Sequence, residues 1–188
     1  MSDRAGALLE HLEELAGSRG KIRVLSDEGV SPALSVVTWA DLPEPGHTTS
    51  CTIGLSFVDF AEWTESRPEL FISVASSDPA WGLAVGRTAL RYRGEYGFCV
   101  GQPVEFGRPI SEASDMTAFL PFWPVTLPAD LARLTLTDGS KVSLIEMIPL
   151  YQGELEMIRR GGFGSFMNAN PDIYDVRRPD LSRRPGAF

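Results

Sequence analysis

Histidine and cysteine, the side chains that most often hold metals or act as catalytic bases and nucleophiles, are scarce in this sequence. Its 188 residues include two histidines, His11 and His47, and two cysteines, Cys51 and Cys99. A metal site needs three or four converging ligands, and no His/Cys pair or His-Glu motif stands at ligand spacing. We therefore predict no metal site and no bound cofactor. His11 is better explained as a surface residue of a helix, and His47 as a turn residue.

Two glycine-rich segments have the composition of catalytic loops without their spacing. Ser165 lies in the run Gly-Phe-Gly-Ser-Phe, yet Phe163 and Met167 occupy the two positions where a Gly-x-Ser-x-Gly nucleophile turn requires glycine. Residues 17–21, Gly-Ser-Arg-Gly-Lys, have too few residues between their glycines for a phosphate-binding loop, and they precede a predicted strand. Both segments are therefore predicted to be connections.

Carboxylates are plentiful, and a pair of them is the remaining route to catalysis. Glu154 and Glu156 are two residues apart on a predicted helix, so they should point to different faces, which disfavours a glycosidase-type pair. A hydrolase or transferase that uses carboxylates brought together from separate segments stays open as the alternative function. Because no recognisable catalytic set is present, we expect a protein that is not an enzyme.

The charge balance disfavours nucleic-acid binding. The chain carries 17 basic and 25 acidic residues, a formal net charge of −8. Phosphate contacts dominate affinity for nucleic acids, and no basic stripe runs through the sequence before the arginines of residues 177–184. An acidic body can steer a basic protein partner toward itself, although solubility alone would also explain the charge.

Cysteine use and hydropathy bear on the cellular location. Two cysteines are too few for a disulfide framework, and the neighbours of Cys51 and Cys99 predict two buried free thiols. The first residues lead into a charged amphipathic segment instead of a signal-peptide core, and no apolar run approaches the ~20 residues needed to cross a bilayer. We therefore expect a cytoplasmic protein that does not span a membrane.

Hydrophobic periodicity predicts helices and strands in mixed order. Helices are predicted at residues 8–15, 79–92 and 150–160, and strands at residues 21–25, 36–39, 48–57, 69–74, 119–123 and 172–176. The clearest signal is Asp138-Gly139 between two alternating runs, which predicts a tight hairpin. Asp78-Pro79 predicts a helix start, and the prolines around residues 119–123 favour an edge strand or a strand end.

The order of these elements indicates the fold class. Strands do not alternate regularly with crossover helices, so a mixed β-sheet flanked by helices fits better than a doubly wound parallel sheet. The length of 188 residues and the hydrophobic content of 43% are sufficient for one domain with a core. We predict a single α/β (α+β) domain over residues 1–180. Residues 181–188, which include Pro185 and have almost no apolar periodicity, are predicted to form a loose C-terminal tail.

Five short blocks, spread over about residues 35–180, occur in a characteristic order. They are residues 47–56 with Gly54-Leu55-Ser56, Arg67-Pro68-Glu69-Leu70, Pro79-Ala80-Trp81-Gly82-Leu83-Ala84, Pro149-Leu150-Tyr151 followed by Glu154-Leu155, and Tyr174-Asp175-Val176-Arg177-Arg178-Pro179. Each block lies on a predicted element of the appropriate type. In this order the blocks resemble the suppressor of fused domain family, and the specificity comes from the order of the blocks.

The resemblance implies an α/β domain that binds another protein. Animal members of the family sequester a transcription factor by strand addition, whereas bacterial stand-alone members are proposed as immunity proteins that neutralise toxins in polymorphic toxin systems. This chain ends where the animal proteins continue into a second domain, so transcription-factor binding is not carried over. We therefore expect a bacterial immunity protein whose partner is a cognate toxin.

Three residues in the matched blocks are candidate contacts for that partner: Tyr151, Glu154 and Asp175. Tyr151 and Glu154 lie about one helical turn apart, where they can either support the start of the helix or face a partner. The family usually has an acidic pair before the leucine of this block, and here Gly153 replaces the first acid.

Several matched residues also have purely structural explanations. Gly54 would permit a bend or a close approach of backbone, and Trp81 would fill the core. Asp175 would pair with Arg177 or Arg178.

Overall fold

The described residues form an eight-stranded mixed sheet with helices packed against it. The computed structural model describes residues 3–26, 33–136 and 138–184. The helices are α1 (Asp3–Ala16), α2 (Ala80–Arg91), α3 (Gln152–Gly161) and α4 (Phe163–Met167). The strands are β1 (Lys21–Leu25), β2 (Leu34–Ala40), β3 (Thr48–Ile53), β4 (Arg67–Val74), β5 (Val104–Glu105), β6 (Ala118–Phe122), β7 (Arg133–Thr135) and β8 (Lys141–Leu150). Short 3-10 helices span Leu55–Phe57 and Leu181–Arg183.

The sheet order is β1-β2-β3-β4-β8-β6-β5, and β7 pairs with β8 outside this path. All neighbouring strands are antiparallel except β4 and β8, which run parallel from the pair Arg67 and Val142 onward. Strand β8 pairs with β4 and β7 along its first half and with β6 along its second half. The predicted mixed sheet is confirmed. The strand predicted at residues 119–123 is present as β6, which lies next to the edge strand β5.

Local turn and capping residues explain two of the predicted elements. Gly139 has φ of 83°, the backbone conformation that favours glycine, and it lies in the connection between β7 and β8, so the predicted hairpin is present. The connection is longer than the tight turn that was predicted, because β7 ends at Thr135 and β8 begins at Lys141. Helix α2 begins at Ala80, whose N–H donates a hydrogen bond of 2.9 Å to Asp78 Oδ1. Asp78 therefore stabilises the start of this helix, as predicted.

Each helix covers a different part of the sheet. Helix α1 packs on one face over the cluster around Val37, Phe71 and Leu144, and α2 packs on the other face. A third cluster joins α3 to β6 and the second half of β8. Trp81 of α2 is fully buried in the cluster between α2 and the sheet, which confirms the prediction that it fills the core. Truncating a buried ring of this size to alanine costs about 3–5 kcal/mol of stability.

Gly54 permits the bend that follows β3. It has φ of 120°, and a Cβ placed on it would lie 3.1 Å from the carbonyl oxygen of Ala33. The backbone therefore turns here in a conformation that disfavours any side chain, as the block around Gly54 predicted.

Residues 172–176 do not form the predicted strand. The N–H groups of Tyr174 and Asp175 donate to Asp172 Oδ1, at 3.1 and 3.2 Å, and the N–H of Arg177 donates to Asp175 Oδ1 at 2.8 Å. Aspartate side chains thus satisfy the amides that a sheet ladder would use, and the segment is a series of turns. One sheet contact remains, because the N–H of Ala75 donates to the carbonyl oxygen of Tyr174 at 2.9 Å.

The expectation of a loose tail from residue 181 is wrong for its first residues. Leu181 is buried in the cluster beneath α3, and its N–H donates to Glu154 Oε1 at 3.1 Å. The sequence does not reveal this anchor, since one leucine among arginines and prolines has no periodicity. Residues 185–188 of the predicted tail lie outside the described residues.

The two cysteines differ in exposure. Cys51 of β3 is buried under α1, as predicted, and burial raises the pKa of its thiol. Cys99 is exposed, contrary to the prediction, because Phe98 takes the inward position and Cys99 begins a turn that is closed by the N–H of Gln102.

Candidate functional site

The connection between β6 and β7 carries an unusual concentration of exposed apolar side chains. Trp123, Val125 and Leu131 are 51%, 56% and 38% exposed. They account for half of the six large hydrophobic side chains that are exposed among the described residues, although the connection is short. Scattered surface hydrophobics are ordinary, but a concentration of them in one connection is typical of a contact site.

An arginine lies over the tryptophan of this connection. The guanidinium of Arg133, on β7, is 5.8 Å from the centre of the Trp123 ring. We call Trp123, Val125, Leu131 and Arg133 the Trp123 surface. Tryptophan and arginine are among the residue types enriched where single side chains dominate the affinity of protein interfaces.

Two cavities flank Trp123. The larger, about 340 Å³, lies between the first residues of β4 and the hairpin of β7 and β8, and Trp63, Phe98 and Trp123 are among its walls. The smaller, about 130 Å³, is lined by Trp123, Pro124 and Leu127. The Trp63 ring is fixed because its indole N–H donates to the carbonyl oxygen of Gly97 at 3.2 Å. A partner side chain can therefore enter a preformed recess beside the exposed ring.

A buried carboxylate holds the connection in place. The N–H of Val125 donates a hydrogen bond of 2.7 Å to Glu146 Oε2. Glu146 lies on β8 opposite Phe71 of β4 and Phe122 of β6, and it is 2% exposed. Burial raises the pKa of Glu146 to about 7, and the hydrogen bond from Val125 acts in the opposite direction. The backbone of the Trp123 surface is thus coupled to a group that titrates near neutral pH.

The residues predicted as partner contacts occupy a different place. Tyr151 precedes α3, and its backbone N–H donates to Glu154 Oε2 at 3.0 Å. Glu154 is fully buried and also accepts hydrogen bonds from Arg178 Nη2 at 2.9 Å and from the N–H of Leu181. Because Glu154 has no exposed surface, it cannot contact a partner directly. Of the two explanations left open for it, the structure supports the structural one.

Arg178 completes a buried ion pair with Glu154. Arg178 Nη2 also donates to the carbonyl oxygen of Pro149, and the guanidinium lies 5.5 Å from the ring centres of Tyr151 and Phe166. Burial raises the pKa of Glu154, whereas the charge of Arg178 lowers it. The Tyr151 hydroxyl donates to the carbonyl oxygen of Arg178 at 2.7 Å. The fourth and fifth sequence blocks therefore meet, and they join the C-terminal segment to α3.

Asp175 does not pair with either arginine side chain in the way expected. Its carboxylate accepts the backbone N–H of Arg177, while the side chain of Arg178 turns inward to Glu154. The replacement of the first acid by Gly153 also has a structural explanation, because a Cβ at this position would lie 2.7 Å from the Cβ of Ser182. The C-terminal segment thus fills the space that a side chain at residue 153 would need.

Sequence reasoning gave no role to Glu69, although it lies in a matched block. Glu69 is fully buried on β4 and accepts five hydrogen bonds, from the backbone N–H groups of Gly54, Leu55 and Ser56 and from the hydroxyls of Thr52 and Ser56. Burial raises the pKa of Glu69, and these hydrogen bonds oppose the shift. All five donors belong to β3 and the turn after it, so Glu69 fixes the bend at Gly54.

The residues considered for chemistry remain separate. The Ser165 hydroxyl donates to the carbonyl oxygen of Gly162 at 2.7 Å, so it supports the start of α4. Glu154 is buried and Glu156 is exposed, which places them on different faces of α3 as expected. Within residues 3–26, 33–136 and 138–184, no group of three or more His, Cys, Asp or Glu side chains could hold a metal ion. None of the described helices is long and apolar enough to span a membrane.

Exposure of the Trp123 surface was not predicted. The prolines on both sides of residue 123 indicated a strand end, and a tryptophan at a strand end followed by Pro124 and Pro128 is the signal that could have identified it. No sequence pattern reports Glu146, because its neighbours on β8 are apolar and its partner is a backbone amide.

Comparison with known proteins gives one family. The family model described as Suppressor of fused protein (SUFU) matches residues 31–179. No curated protein sequence matches the chain at a significant level.

Solved structures share the fold at low sequence identity. A SUFU homolog from Neisseria gonorrhoeae FA 1090 superposes with a TM-score of 0.75 at 18% identity, covering 99% of this chain and 100% of that one. A chain of the Sufu–Fu complex gives a TM-score of 0.70 at 13% identity, with 94% and 91% covered. Drosophila Suppressor of Fused gives 0.68 at 13% identity; 99% of this chain is covered, but it spans 51% of that chain.

Proposed function

The chain belongs to the suppressor of fused (SUFU) family, and from this premise we propose that it is a non-enzymatic protein-binding module. More specifically, we propose that it acts as an immunity protein, which neutralises a toxin of a bacterial polymorphic toxin system by binding it. The observation that carries the proposal is the Trp123 surface: an exposed tryptophan with an arginine over its ring, set between two cavities. We assign the partner contact to this surface.

The Trp123 surface gains free energy when a partner covers it. Burying a large exposed aromatic side chain removes apolar area from water, worth roughly 25 cal/mol for each Å². Arg133 can donate hydrogen bonds to a partner while it stays over the ring, since the guanidinium has five N–H groups. The hydrogen bond between Val125 and Glu146 limits the motion of the connection, so less conformational entropy is lost on binding.

Two further observations support a protein partner. The Sufu–Fu structure contains a complex, so a relative with this fold is found with another protein. A formal net charge of −8 favours fast encounter with a basic toxin, because long-range attraction raises the association rate.

The test is co-expression with the protein encoded by the adjacent open reading frame, followed by affinity measurement on the purified pair. The chain should restore growth to cells that express that protein. Trp123→Ala and Arg133→Ala should each weaken binding about 30-fold or more, as truncations of dominant interface residues cost ~2 kcal/mol or more. The matched control is Ile22→Ala, which removes another exposed hydrophobic side chain, on β1.

Two results would contradict the proposal at different levels. If the adjacent product is neither bound nor neutralised, the immunity role is rejected. If it is bound, but Trp123→Ala and Ile22→Ala behave alike, the protein-binding role stands and the assignment of the Trp123 surface is rejected.

A further inference from the structure

A second surface is positively charged, although the protein as a whole is acidic. The terminal strands of the sheet, β1 and β5, border the same groove of about 810 Å³ at the C-terminal end of α2. Its walls carry three exposed arginines, Arg87 and Arg91 of α2 and Arg108 beyond β5. We call these three residues and the walls between them the arginine groove.

The arginines of the groove are not paired with any carboxylate of the residues that the structure describes. Among the described residues, Arg87, Arg91 and Arg108 form no ion pair. Glu105 is the one carboxylate among the described residues that line the groove, and it is paired with Arg159 at 2.7 Å. Within the described part of the chain, three cations thus line one groove without an ion-pair partner, on a protein whose formal net charge is −8.

Aromatic rings hold two of the guanidinium groups in place. Arg91 lies over the ring of Tyr92, 5.1 Å from its centre, and Arg108 lies over the ring of Phe106 at 5.4 Å. Stacking orients the guanidinium plane and leaves its N–H groups free to donate, which suits bidentate hydrogen bonding to a carboxylate. Arg87 and Arg91 are one helical turn apart, so they present their charges side by side.

The wall opposite α2 favours an extended chain as the occupant. Val24, Leu25 and Ser26 line the groove at the end of β1. Strand β1 pairs with β2 on one side and is the last strand of the sheet, so the backbone groups along its outer edge face away from the ladder. An extended peptide can pair with such an edge, while its side chains reach residues beside the strand.

From this arrangement we propose that the arginine groove binds an extended acidic peptide segment of a protein partner, with Asp or Glu carboxylates paired to Arg87, Arg91 and Arg108. The site is separate from the Trp123 surface, because the residues that line the two cavities beside Trp123 and those that line this groove do not overlap. The arginine groove therefore gives the protein a second contact site, which attracts acidic segments, whereas the acidic body attracts basic ones.

The experiment measures the fluorescence anisotropy of a short fluorescein-labelled peptide of alternating Glu and Thr, titrated with the full chain at low ionic strength. The matched probe has Gln at every Glu position. Arg87→Ala, Arg91→Ala and Arg108→Ala should each weaken binding of the acidic peptide by about ten-fold, the scale of one charge-assisted hydrogen bond. Arg91→Lys keeps the charge but loses the paired N–H groups that bind a carboxylate in bidentate fashion. This variant should bind the acidic peptide more weakly than the parent and more tightly than Arg91→Ala does.

The control variant is Arg177→Ala, which removes an exposed arginine outside the groove. Equal weakening by Arg177→Ala and by the groove variants would overturn the proposal, as would equal binding of the Gln peptide. A labelled single-stranded DNA oligonucleotide serves as a competitor. If it binds more tightly than the peptide and depends on the same three arginines, the groove is a nucleic-acid site and the peptide assignment is wrong.

Discussion

Three buried carboxylates, Glu69, Glu146 and Glu154, are held in different ways, and the difference decides what each can do. Glu69 accepts five hydrogen bonds and Glu154 is paired with a buried arginine, so both are fixed parts of the scaffold. Glu146 accepts a backbone hydrogen bond from Val125. Burial raises the pKa of Glu146 to about 7, so its protonation can change near neutral pH.

At this scale the first prediction concerns the Glu154–Arg178 pair. Glu154→Gln keeps the volume of the side chain but removes the charge opposite a guanidinium that is 5% exposed. Breaking one side of a buried pair costs ~3–5 kcal/mol, because the other charge is left uncompensated. Urea unfolding should therefore show a loss of that size.

The matched control is Glu156→Gln, two residues along the same helix and exposed, which should change the unfolding free energy by less than ~0.5 kcal/mol. Equal unfolding midpoints for the two variants would mean that Arg178 finds other partners and that the pair does not stabilise the fold.

The elements of this fold differ in how far their own residues specify them. The hairpin of β7 and β8 and the start of α2 follow from Asp138-Gly139 and Asp78-Pro79, because each signal acts within a few residues. The C-terminal segment depends on contacts with α3, which is distant in sequence. Its aspartates cap backbone amides instead of permitting a strand, and its one leucine is buried without periodicity.

The corresponding prediction concerns the C-terminal segment itself. Leu181→Ala should lower the unfolding free energy by about 2–4 kcal/mol, because it empties a buried leucine site. Arg183→Ala, in the same 3-10 helix, removes a side chain that is 83% exposed and should have little effect. The measurement is chemical denaturation of both variants. If Leu181→Ala unfolds like the parent, the segment is the loose tail that the sequence indicated.

The site was less predictable than the fold. The sequence blocks identified residues that join elements, such as Glu154, which is buried, and Tyr151, which is half-buried. Trp123, Arg133 and Glu146 come together from three strands or their ends, and their assembly depends on the sheet order. Exposure and strand order are properties of the whole fold, so composition and periodicity do not report them.

At the scale of the whole molecule, Glu146 should make stability depend on pH. Burial raises the pKa of Glu146 from its ordinary value of 4.5 to about 7. The folded protein therefore keeps the proton over a range in which the unfolded chain releases it. Stability from this group is fully present below pH of about 4.5 and is lost as the pH rises to about 7.

The comparison of the parent with Glu146→Gln isolates this effect. Across that pH range the unfolding free energy of the parent should fall by about 3 kcal/mol relative to the variant, because one pKa unit corresponds to ~1.36 kcal/mol. Parallel profiles for the two proteins would show that Glu146 has the same pKa in the folded and unfolded chains.

The whole molecule presents two surfaces of different character on one acidic body. The Trp123 surface is apolar with a single arginine, and the arginine groove is cationic. A partner that used both would combine an apolar anchor with an acidic segment, and the contacts could be removed independently. The proposed function rests on the Trp123 surface alone.

Hydrogen–deuterium exchange on the chain with and without the product of the adjacent open reading frame shows whether the partner covers the Trp123 surface. We expect the amides of residues 123–136 and 63–66 to exchange more slowly in the complex, since they border Trp123 and its larger cavity. A complex in which these amides exchange at unchanged rates, while residues elsewhere in the chain are protected, would contradict the assignment of the partner contact to the Trp123 surface.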